Sequence, residues 1–396
     1  MLIEEWRRIP KTLAFDESEY RTRQQRLCTA MAERGLDALW LHSTENLCYL
    51  TGFQTPGYYF VQTLLINADG DMRLVTRYLE QTNAFAFTCL GPEIFRAYPD
   101  EADPATEIVA AIRELGLDRA AIGVEMEGYS VLPIATFERV RAPLPDARFQ
   151  NGSGLVEQLR MVKSPAEIAH IRASCTIASA GMKTAVENCR AGISEHELAA
   201  EIERTTTALG SGYPGLPLFL SSGDRTFIRH AVPSNKRMER GDNVLVELTG
   251  VVWRYAGPLF RTLSVGPPSR QLRAHSDAAN SMLDAVLENL RPGTTSHEVN
   301  TAVIAAARAA GVDAGVTKRA GYSVGLNFPP DWGEGVFLDL CNENRTVIRP
   351  GMVFHCPQAM RIGDSRPTTV SETILVTEGG CESLTSFAPR DLIVID

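Results

Sequence analysis

Residues 187–198 read ENCRAGISEHEL, and residues 288–299 read ENLRPGTTSHEV. The two stretches share Glu, Asn, Arg, Gly, His and Glu at a constant offset of 101 residues. In each stretch, a basic residue followed by a glycine marks the end of one helix. A capping box, with Ser194 or Thr295 as the cap and a glutamate three residues later, then begins the next helix. The pattern predicts one helix–turn–helix unit that occurs twice.

The two units predict a duplicated domain. The second helix of each unit ends at a glycine, Gly210 or Gly311, at the same offset, and apolar strands follow. We therefore expect an α+β domain with an internal pseudo-two-fold repeat, and a cleft between its halves as the place for chemistry. A chance likeness between two capping motifs is the alternative. We interpret His196 and His297, at equivalent helix starts, as structural.

The residues before about 160 alternate strands and helices in the α/β manner. Ser18 is the expected N-cap of a first helix that stops at Gly35. A strand is predicted over 38–42, and the Asp69-Gly70 pair predicts the turn of a hairpin. Another strand (120–126) and a helix around 131–141 follow. Ser164, Pro165 and Glu167 then form a strong helix start, so we predict two domains, 1–160 and 161–396.

Composition narrows the class of protein. The 396 residues are 44% hydrophobic and 22% charged, as in soluble globular proteins, and the net charge of -9 argues against nucleic-acid binding. The first fifteen residues lack the apolar core of a secretory signal, and no apolar run is long enough for a membrane span. The eight cysteines are dispersed without metal-site spacing, which indicates reduced thiols and a cytoplasmic protein.

The segment NVLVELTGVVWRYAGPLFRT (243–262) resembles the metal-binding hairpin of the pita-bread aminopeptidase and prolidase family. In that family one aspartate ends the first strand, and a second aspartate lies eleven residues further on. Here these positions hold Glu247 and Pro258, with Arg261 and Thr262 in place after them. Proline has no side-chain donor atom. The resemblance therefore implies the pita-bread fold without this metal ligand.

The other ligand positions of that family also differ in this chain. Tyr322 replaces a histidine, Pro357 replaces a glutamate, and Ser371 replaces a second glutamate, with Glu372 one position later. A binuclear metal site needs carboxylates and an imidazole around an open coordination position. We therefore expect no bound metal and no cofactor.

The string GYSVGLNFPPDWGE (321–334) is similar to that of the ectoine hydrolases, which belong to the same superfamily as creatinase. Creatinase itself has this fold, no metal and a histidine that acts as general acid and base. Three segments depart from the ectoine hydrolases, namely 76–81, Pro56 and 256–260. They lie where such enzymes hold substrate, so the reaction type is implied while the substrate stays open between ectoine and an analogue. Further similar segments are GVEMEGY (123–129), LPDARF (144–149), VKSPAEI (162–168) and ESLTSFAPRDLIV (382–394).

The resemblance implies a metal-independent hydrolase that cleaves a C–N bond, opening a cyclic amidine to an N-acetyl-diamino acid. A protonated amidine is positive, so a facing carboxylate both binds and activates it. Glu247 is the candidate, either adding covalently to the amidine carbon or acting as a base on water; a structural acid paired with an arginine is the alternative. His230 aligns with the creatinase-type catalytic histidine and would carry the proton to the leaving nitrogen; a satisfied core histidine is its alternative.

Other residues are supporting candidates. Tyr322 is expected to donate a hydrogen bond where the metal would have been, and Glu372 to hold the substrate's second nitrogen. The carboxylate of a small zwitterionic substrate needs a cation, for which Arg261 and Arg77 are candidates, although Arg261 would equally serve to brace Glu247. Structural roles are the alternatives for His355 and for the Pro-Pro-Asp-Trp turn. The remaining substrate-binding candidates are Tyr58, Tyr59, Tyr255, Asp331, Trp332 and His355.

Creatinase-type dimers imply that this chain is a homodimer in which the N-terminal domain covers the partner's active site. Arg77, Tyr58 and Tyr59 would then act across the interface. Three alternatives stay open: a creatinase-like hydrolase of a guanidino compound, an Xaa-Pro aminopeptidase relative, and a pita-bread binding protein without catalysis. Pro258 and Pro357 argue against the peptidase, and the retained Glu247 and His230 argue against the binding protein.

Overall fold

The structure, a computed structural model, describes residues 4–128, 132–311, 319–360, 365–387 and 389–396. Within these ranges the chain forms two compact units, Met1–Arg160 and Met161–Asp396. No helix in the described ranges is both long and apolar enough to cross a membrane. Tyr129 and Val131, at the ends of two predicted segments, lie outside the described residues.

The first unit is built on a six-stranded sheet with the order β4-β3-β2-β1-β5-β6. The pairs β1–β2 and β2–β3 are antiparallel, and the other pairs are parallel, as expected of an α/β unit. Trp40, Ile108 and Ile122 lie in its apolar core. The strands are β1 (Ala38–Leu41), β2 (Thr63–Asn67), β3 (Met72–Arg77), β4 (Phe95–Tyr98), β5 (Ala121–Val124) and β6 (Arg148–Asn151). The helices are α1 (Glu17–Glu33), α2 (Thr44–Thr51), α3 (Gln81–Phe87), α4 (Pro104–Glu114), α5 (Ile134–Arg141) and α6 (Leu155–Arg160).

The hairpin predicted around Asp69-Gly70 is confirmed, since β2 and β3 pair and Gly70 has a φ of 89°, which glycine adopts without steric cost. Gly35 likewise has a positive φ of 66° directly after the first helix. The predicted N-cap was wrong. Helix α1 begins at Glu17 with Asp16 as its N-cap, so Ser18 lies inside the first turn.

The second unit contains two four-stranded sheets, β16-β9-β8-β7 and β10-β11-β14-β15, and a two-stranded sheet of β12 and β13. The helices are α7 (Pro165–Asn188), α8 (Glu195–Ala208), α9 (Arg270–Asn289) and α10 (Ser296–Ala309). The strands are β7 (Phe219–Ser222), β8 (Asn243–Val252), β9 (Tyr255–Val265), β10 (Tyr322–Ser323), β11 (Val353–His355), β12 (Gln358–Met360), β13 (Thr368–Val370), β14 (Thr373–Thr377), β15 (Gly380–Ser383) and β16 (Ile393–Ile395).

The predicted repeat is confirmed in atomic detail. Helices α8 and α10 begin with full capping boxes on Ser194 and Thr295. The amide of Gly192 donates to the carbonyl of Met238 at 2.8 Å, and the equivalent amide of Gly293 donates to Ile348 at 3.0 Å. In each half, an equivalent hydrogen bond therefore holds the turn between the two paired helices.

Helix α7 lies close against the long β8–β9 hairpin because two glycines face it. A Cβ atom on Gly250 would lie 2.2 Å from the carbonyl oxygen of Ser174, and one on Gly257 would lie 2.5 Å from the amide nitrogen of Cys175. Any larger residue would push the helix away from the hairpin. The close approach fixes the hairpin that carries Glu247.

Candidate active site

Glu247 lies in the middle of β8, where Phe219 of β7 and Phe260 of β9 are its neighbours across the sheet. Its side chain is 8% exposed, and no hydrogen bond joins its carboxylate to another described residue. Burial, with the charge of Asp331 as a smaller cause, raises the pKa of Glu247 from 4.5 to about 8. The group is therefore largely protonated near neutral pH and ready to ionise beside a cation.

Next to Glu247 is a buried network made by Trp332, Tyr322, His355 and Ser371, which we call the tyrosine network. The indole nitrogen of Trp332 donates to the Tyr322 hydroxyl at 2.9 Å. Nδ1 of His355 lies 2.8 Å from the same hydroxyl, and Nε2 of His355 lies 2.6 Å from Oγ of Ser371. Oγ of Ser371 also accepts the amide of Phe260 at 2.8 Å. The network thus reaches the strand that pairs with Glu247.

Burial keeps the titratable members of this network neutral. It lowers the pKa of His355 to about 3, with a smaller contribution from the positive charge of Arg319. It also raises the pKa of Tyr322 well above 10, with the charge of Glu247 as the next cause. The Tyr322 phenol is therefore a hydrogen-bond donor and not a base at physiological pH.

The loop after β10 brings Asp331 and Trp332 to this place. Oδ1 of Asp331 accepts the amide of Trp332 at 2.7 Å, and the Trp332 ring meets the Phe219 ring edge-on at 5.5 Å between centroids. Two residues further on, Glu334 forms a buried ion pair with Lys163 at 2.6 Å. These contacts hold the loop in place, and a pocket-shaping role for Asp331 and Trp332 stays a prediction.

His230 packs against Phe219. Its imidazole is exposed and stacks on the Phe219 ring, with 5.0 Å between centroids and 19° between planes. Its φ of +54° is a strained conformation for a residue other than glycine. Phe219 is also the sheet neighbour of Glu247, so both proposed catalytic residues adjoin Phe219.

The structure does not support the predicted roles of Glu372 and Arg261. The Arg261 guanidinium is fully buried, lies 2.5 Å from the Glu372 carboxylate, and also donates to the carbonyls of Ser371 and Phe387. Glu372 further accepts hydrogen bonds from Ser383 and Thr385. Both side chains are satisfied inside the protein, so Arg261 braces Glu372 and neither is placed to bind substrate.

The predicted substrate-binding role of Tyr255 is also corrected. Its side chain is buried, its hydroxyl donates to Glu167 at 2.9 Å, and its ring stacks on His170. Glu167 is the residue that completes the capping box of α7. Tyr255 therefore fastens the hairpin to that helix. His355 is fully buried with both ring nitrogens bonded, so it acts through its neighbours and not on substrate directly.

The first unit holds the remaining candidates, Tyr58, Tyr59 and Arg77. Arg77 forms an ion pair with Asp100 and lies over the ring of Phe60 at 3.9 Å. Tyr59 is 75% exposed and packs against Phe60, whereas Tyr58 is half-buried. Within this unit, Arg77 and the aromatic side chains form one surface patch.

Comparison with known proteins agrees with this architecture. The model of metallopeptidase family M24 matches residues 169–378, and the model of the Creatinase/Prolidase N-terminal domain matches residues 23–162. The chain belongs to metallopeptidase family M24. It is 30% identical to the ectoine hydrolase of Halomonas elongata, over 98% of this chain and 100% of that protein. The predicted resemblance and the predicted pita-bread fold are thereby confirmed.

Two solved structures illustrate the range of the M24 fold. The prolidase from Pyrococcus horikoshii OT3 superposes with a TM-score of 0.81 at 22% identity, covering 94% of this chain and 100% of that one. The N-terminal domain of FACT complex subunit SPT16 from chickpea (Cicer arietinum) superposes with a TM-score of 0.75 at 16% identity, covering 96% and 100%. At these identities the likeness establishes the fold alone.

The metal implied by the name of family M24 does not fit the residues of this chain. Among the residues that the structure describes, no group of three or more His, Cys, Asp or Glu side chains is arranged to hold a metal ion. Pro258 and Pro357 offer no donor, while Tyr322, His355 and Ser371 are hydrogen-bonded to one another. We therefore derive no chemical step through a metal.

Two features of this M24 site escaped the sequence interpretation. Ser371 was read only as a lost ligand, although its hydroxyl completes the tyrosine network. Arg319 is half-buried, and its guanidinium lies over the Tyr322 ring at 4.5 Å; it forms no ion pair with any described residue. Arg319 lies two residues before the Gly-Tyr motif, and this position in the sequence was the available indication that it lies near Tyr322.

Proposed function

We propose that this M24 hydrolase opens the ring of a small cyclic amidine, ectoine or a close analogue, to give an N-acetyl-diamino acid without a metal. The observation that carries the proposal is Glu247, a buried carboxylate free of hydrogen bonds to described residues, beside a phenol where metallopeptidases place a histidine ligand. The full-length similarity to an ectoine hydrolase supports the same substrate class.

The raised pKa of Glu247 suits a cationic substrate. An amidinium that enters the site attracts the proton-free form of Glu247, which lowers the pKa of the carboxyl and ionises it. In a covalent route, a carboxylate oxygen bonds to the amidine carbon, the ring C–N bond breaks as the leaving nitrogen takes a proton, and water hydrolyses the resulting O-linked imidate. In a base route, Glu247 takes a proton from water while the water oxygen bonds to that carbon, and the ring C–N bond then breaks as the leaving nitrogen takes a proton.

Two neighbours supply the remaining parts of the reaction. The Tyr322 phenol stays neutral and keeps its proton. Its hydroxyl therefore donates a hydrogen bond to the substrate atom that gains negative charge in the transition state. His230 delivers the proton to the leaving nitrogen, since its imidazole is exposed beside the ring that adjoins Glu247. Arg319 binds the substrate carboxylate, because it lies against Tyr322 and a guanidinium matches a carboxylate in shape and charge.

Further parts of the proposal concern the assembly. We propose a cytoplasmic homodimer in which the N-terminal domain covers the partner's active site, with Arg77, Tyr58 and Tyr59 facing the substrate from there. The domains are those proposed from the sequence, 1–160 and 161–396. The other partner is a small zwitterionic substrate, not nucleic acid or a membrane.

The decisive experiment incubates chelator-treated protein with ectoine, hydroxyectoine and creatine and follows each by NMR. We expect ring opening of an ectoine, and its loss in Glu247→Ala. Equal turnover by Glu247→Ala would overturn the role of Glu247. Turnover of creatine alone would favour the guanidino alternative.

Xaa-Pro dipeptide cleavage is the second candidate function, favoured by the match to metallopeptidase family M24. It predicts cleavage of an Xaa-Pro dipeptide that rises when Mn²⁺ is added to the chelator-treated protein. Absence of turnover with every substrate, together with normal folding, would favour a binding protein.

A further inference from the structure

The four side chains of the tyrosine network are all buried, so each of their polar atoms needs a partner inside the protein. The Tyr322 hydroxyl receives the indole N–H of Trp332, and Oγ of Ser371 receives the amide N–H of Phe260. His355 lies between them, 2.8 Å from the first hydroxyl and 2.6 Å from the second. Two hydroxyl protons and the single imidazole proton remain to be assigned.

A neutral imidazole donates from one nitrogen and accepts at the other, which leaves two arrangements. In the first, Nδ1 of His355 donates to Tyr322 and Nε2 accepts from Ser371, so the Tyr322 hydroxyl proton is left over. In the second, Tyr322 donates to Nδ1 and Nε2 donates to Ser371, so the Ser371 hydroxyl proton is left over. The two arrangements differ in where the leftover proton must find an acceptor.

The surroundings favour the first arrangement. Ser371 is fully buried, and its Oγ has no further partner among the described residues, so a proton left there would lack an acceptor. Tyr322 is slightly exposed, and Glu247 is close enough to act on it electrostatically. A proton left on Tyr322 is therefore available to a bound substrate.

We propose that Ser371 and His355 are positioning residues that turn the hydroxyl proton of Tyr322 away from His355, so that Tyr322 donates it to a bound substrate. The inference rests on the proposed function for its catalytic meaning, but the proton arrangement itself does not. Trp332 contributes in the same direction, because its donor blocks one lone pair of the Tyr322 oxygen. The network thus reuses the positions of lost metal ligands to hold a single oriented donor.

The proton arrangement is tested without any substrate. Protein labelled with ¹⁵N-histidine is studied by long-range ¹H–¹⁵N correlation, and the His355 signals are assigned by their loss in His355→Gln. We expect the tautomer with the proton on Nδ1. The tautomer with the proton on Nε2, or a doubly protonated ring, would overturn the proposal.

The kinetic consequence is tested with Ser371→Ala, which frees the imidazole to exchange tautomers. We expect kcat for ring opening to fall by roughly tenfold to a hundredfold with KM nearly unchanged, because misdirecting one donor costs no more than deleting it. Ser264→Ala is the matched control, since Ser264 is equally buried in β9 and the one partner of its Oγ among the described residues is the carbonyl of Gly266. An unchanged kcat in Ser371→Ala, or an equal fall in Ser264→Ala, would overturn the positioning role. A protein with the Nδ1 tautomer that opens no amidine would instead contradict only the proposed function.

Discussion

At the scale of single residues, Ser371 and Glu372 are neighbours in sequence but have different surroundings. Ser371 points to His355, whereas Glu372, one position later, points to Arg261. Successive side chains of an extended segment face opposite sides. An alignment that is wrong by one residue therefore assigns a side chain to the wrong face of the segment. Glu247 and Tyr322 occupy ligand positions, and their catalytic roles stay predictions. Glu372, one position after a ligand position, was assigned to the site although its carboxylate binds Arg261.

The raised pKa of Glu247 predicts how activity depends on pH. Both proposed routes need the carboxylate form, and a pKa of about 8 means that little of it exists in the free enzyme at acidic pH. We expect kcat/KM to rise with pH up to about 8 and then to level off, because kcat/KM reports the ionisation of the free enzyme. A profile that is flat or falling from acidic pH to pH 8 would contradict the assignment.

The same group offers a control that needs no substrate. A carboxyl whose pKa is raised on folding contributes its full stability below its unfolded pKa of 4.5 and loses it as pH rises through about 8. We therefore expect the melting temperature of Glu247→Gln, relative to that of the natural protein, to increase steadily between those values. A constant difference would mean that the carboxyl is not protonated in the fold.

Arg319 predicts a selective loss of affinity for the substrate carboxylate. We expect Arg319→Ala to raise KM for ectoine by about tenfold to a hundredfold, as for the loss of one charged hydrogen-bond pair. The same variant should leave KM for 2-methyltetrahydropyrimidine unchanged, because this compound has the amidine ring without the carboxylate. Arg308→Ala, which removes an exposed arginine, controls for net charge. An equal loss with both compounds would show that Arg319 supports Tyr322 and not the carboxylate.

At the scale of elements, Glu195 explains why the loop after β7 holds His230 in a strained conformation. This buried residue at the start of α8 accepts the amide and hydroxyl of Ser222 at 2.7 and 2.8 Å, and those of Ser234 at 3.0 and 2.6 Å. Arg225 also donates to it, at 3.0 Å. One carboxylate thus fastens both ends of the loop. Sequence patterns could predict the capped helix but not this contact, because the partners lie 27 to 39 residues away.

We expect Glu195→Ala to lower the free energy of unfolding by about 3 kcal/mol, because it leaves several buried donors without their acceptor. Activity should fall further than the lost stability explains, since His230 is released. Ser296→Ala is the matched control at the equivalent position of the repeat, where Oγ of Ser296 has no partner among the described residues. Chemical denaturation that gave equal stability for the two variants would contradict the anchoring role.

At the scale of the whole molecule, the repeat and the domain order could be predicted because capping boxes and glycine stops are short-range signals. The pairing of strands that are distant in sequence could not be predicted in this way. Strand β10 has only two residues, and its place beside β11 follows from tertiary contacts between Tyr322 and His355. Local sequence patterns therefore predicted the order of elements in the duplicated domain, whereas tertiary packing determines which polar side chains lie close together.

The proposed dimer predicts complementation between two inactive variants. If Arg77 serves the partner's site, then Arg77→Ala and Glu247→Ala subunits, refolded together, form mixed dimers in which one site has a complete set of residues. We expect activity to return on mixing, with a mass of two chains by light scattering. Mixed dimers without activity would mean that Arg77 acts in its own subunit or not at all.

The tyrosine network also bears on evolutionary reversibility. An aspartate restored at Pro258 would add one metal ligand to a site in which Tyr322, His355 and Ser371 are committed to one another. A histidine restored at Tyr322 would break that network before a second carboxylate existed to share a metal. A single reversion at Pro258 therefore leaves the metal site incomplete, and a single reversion at Tyr322 also breaks the network. If the protein acts without a metal, as we propose, directed evolution of this chain toward a metallopeptidase would need several substitutions at once.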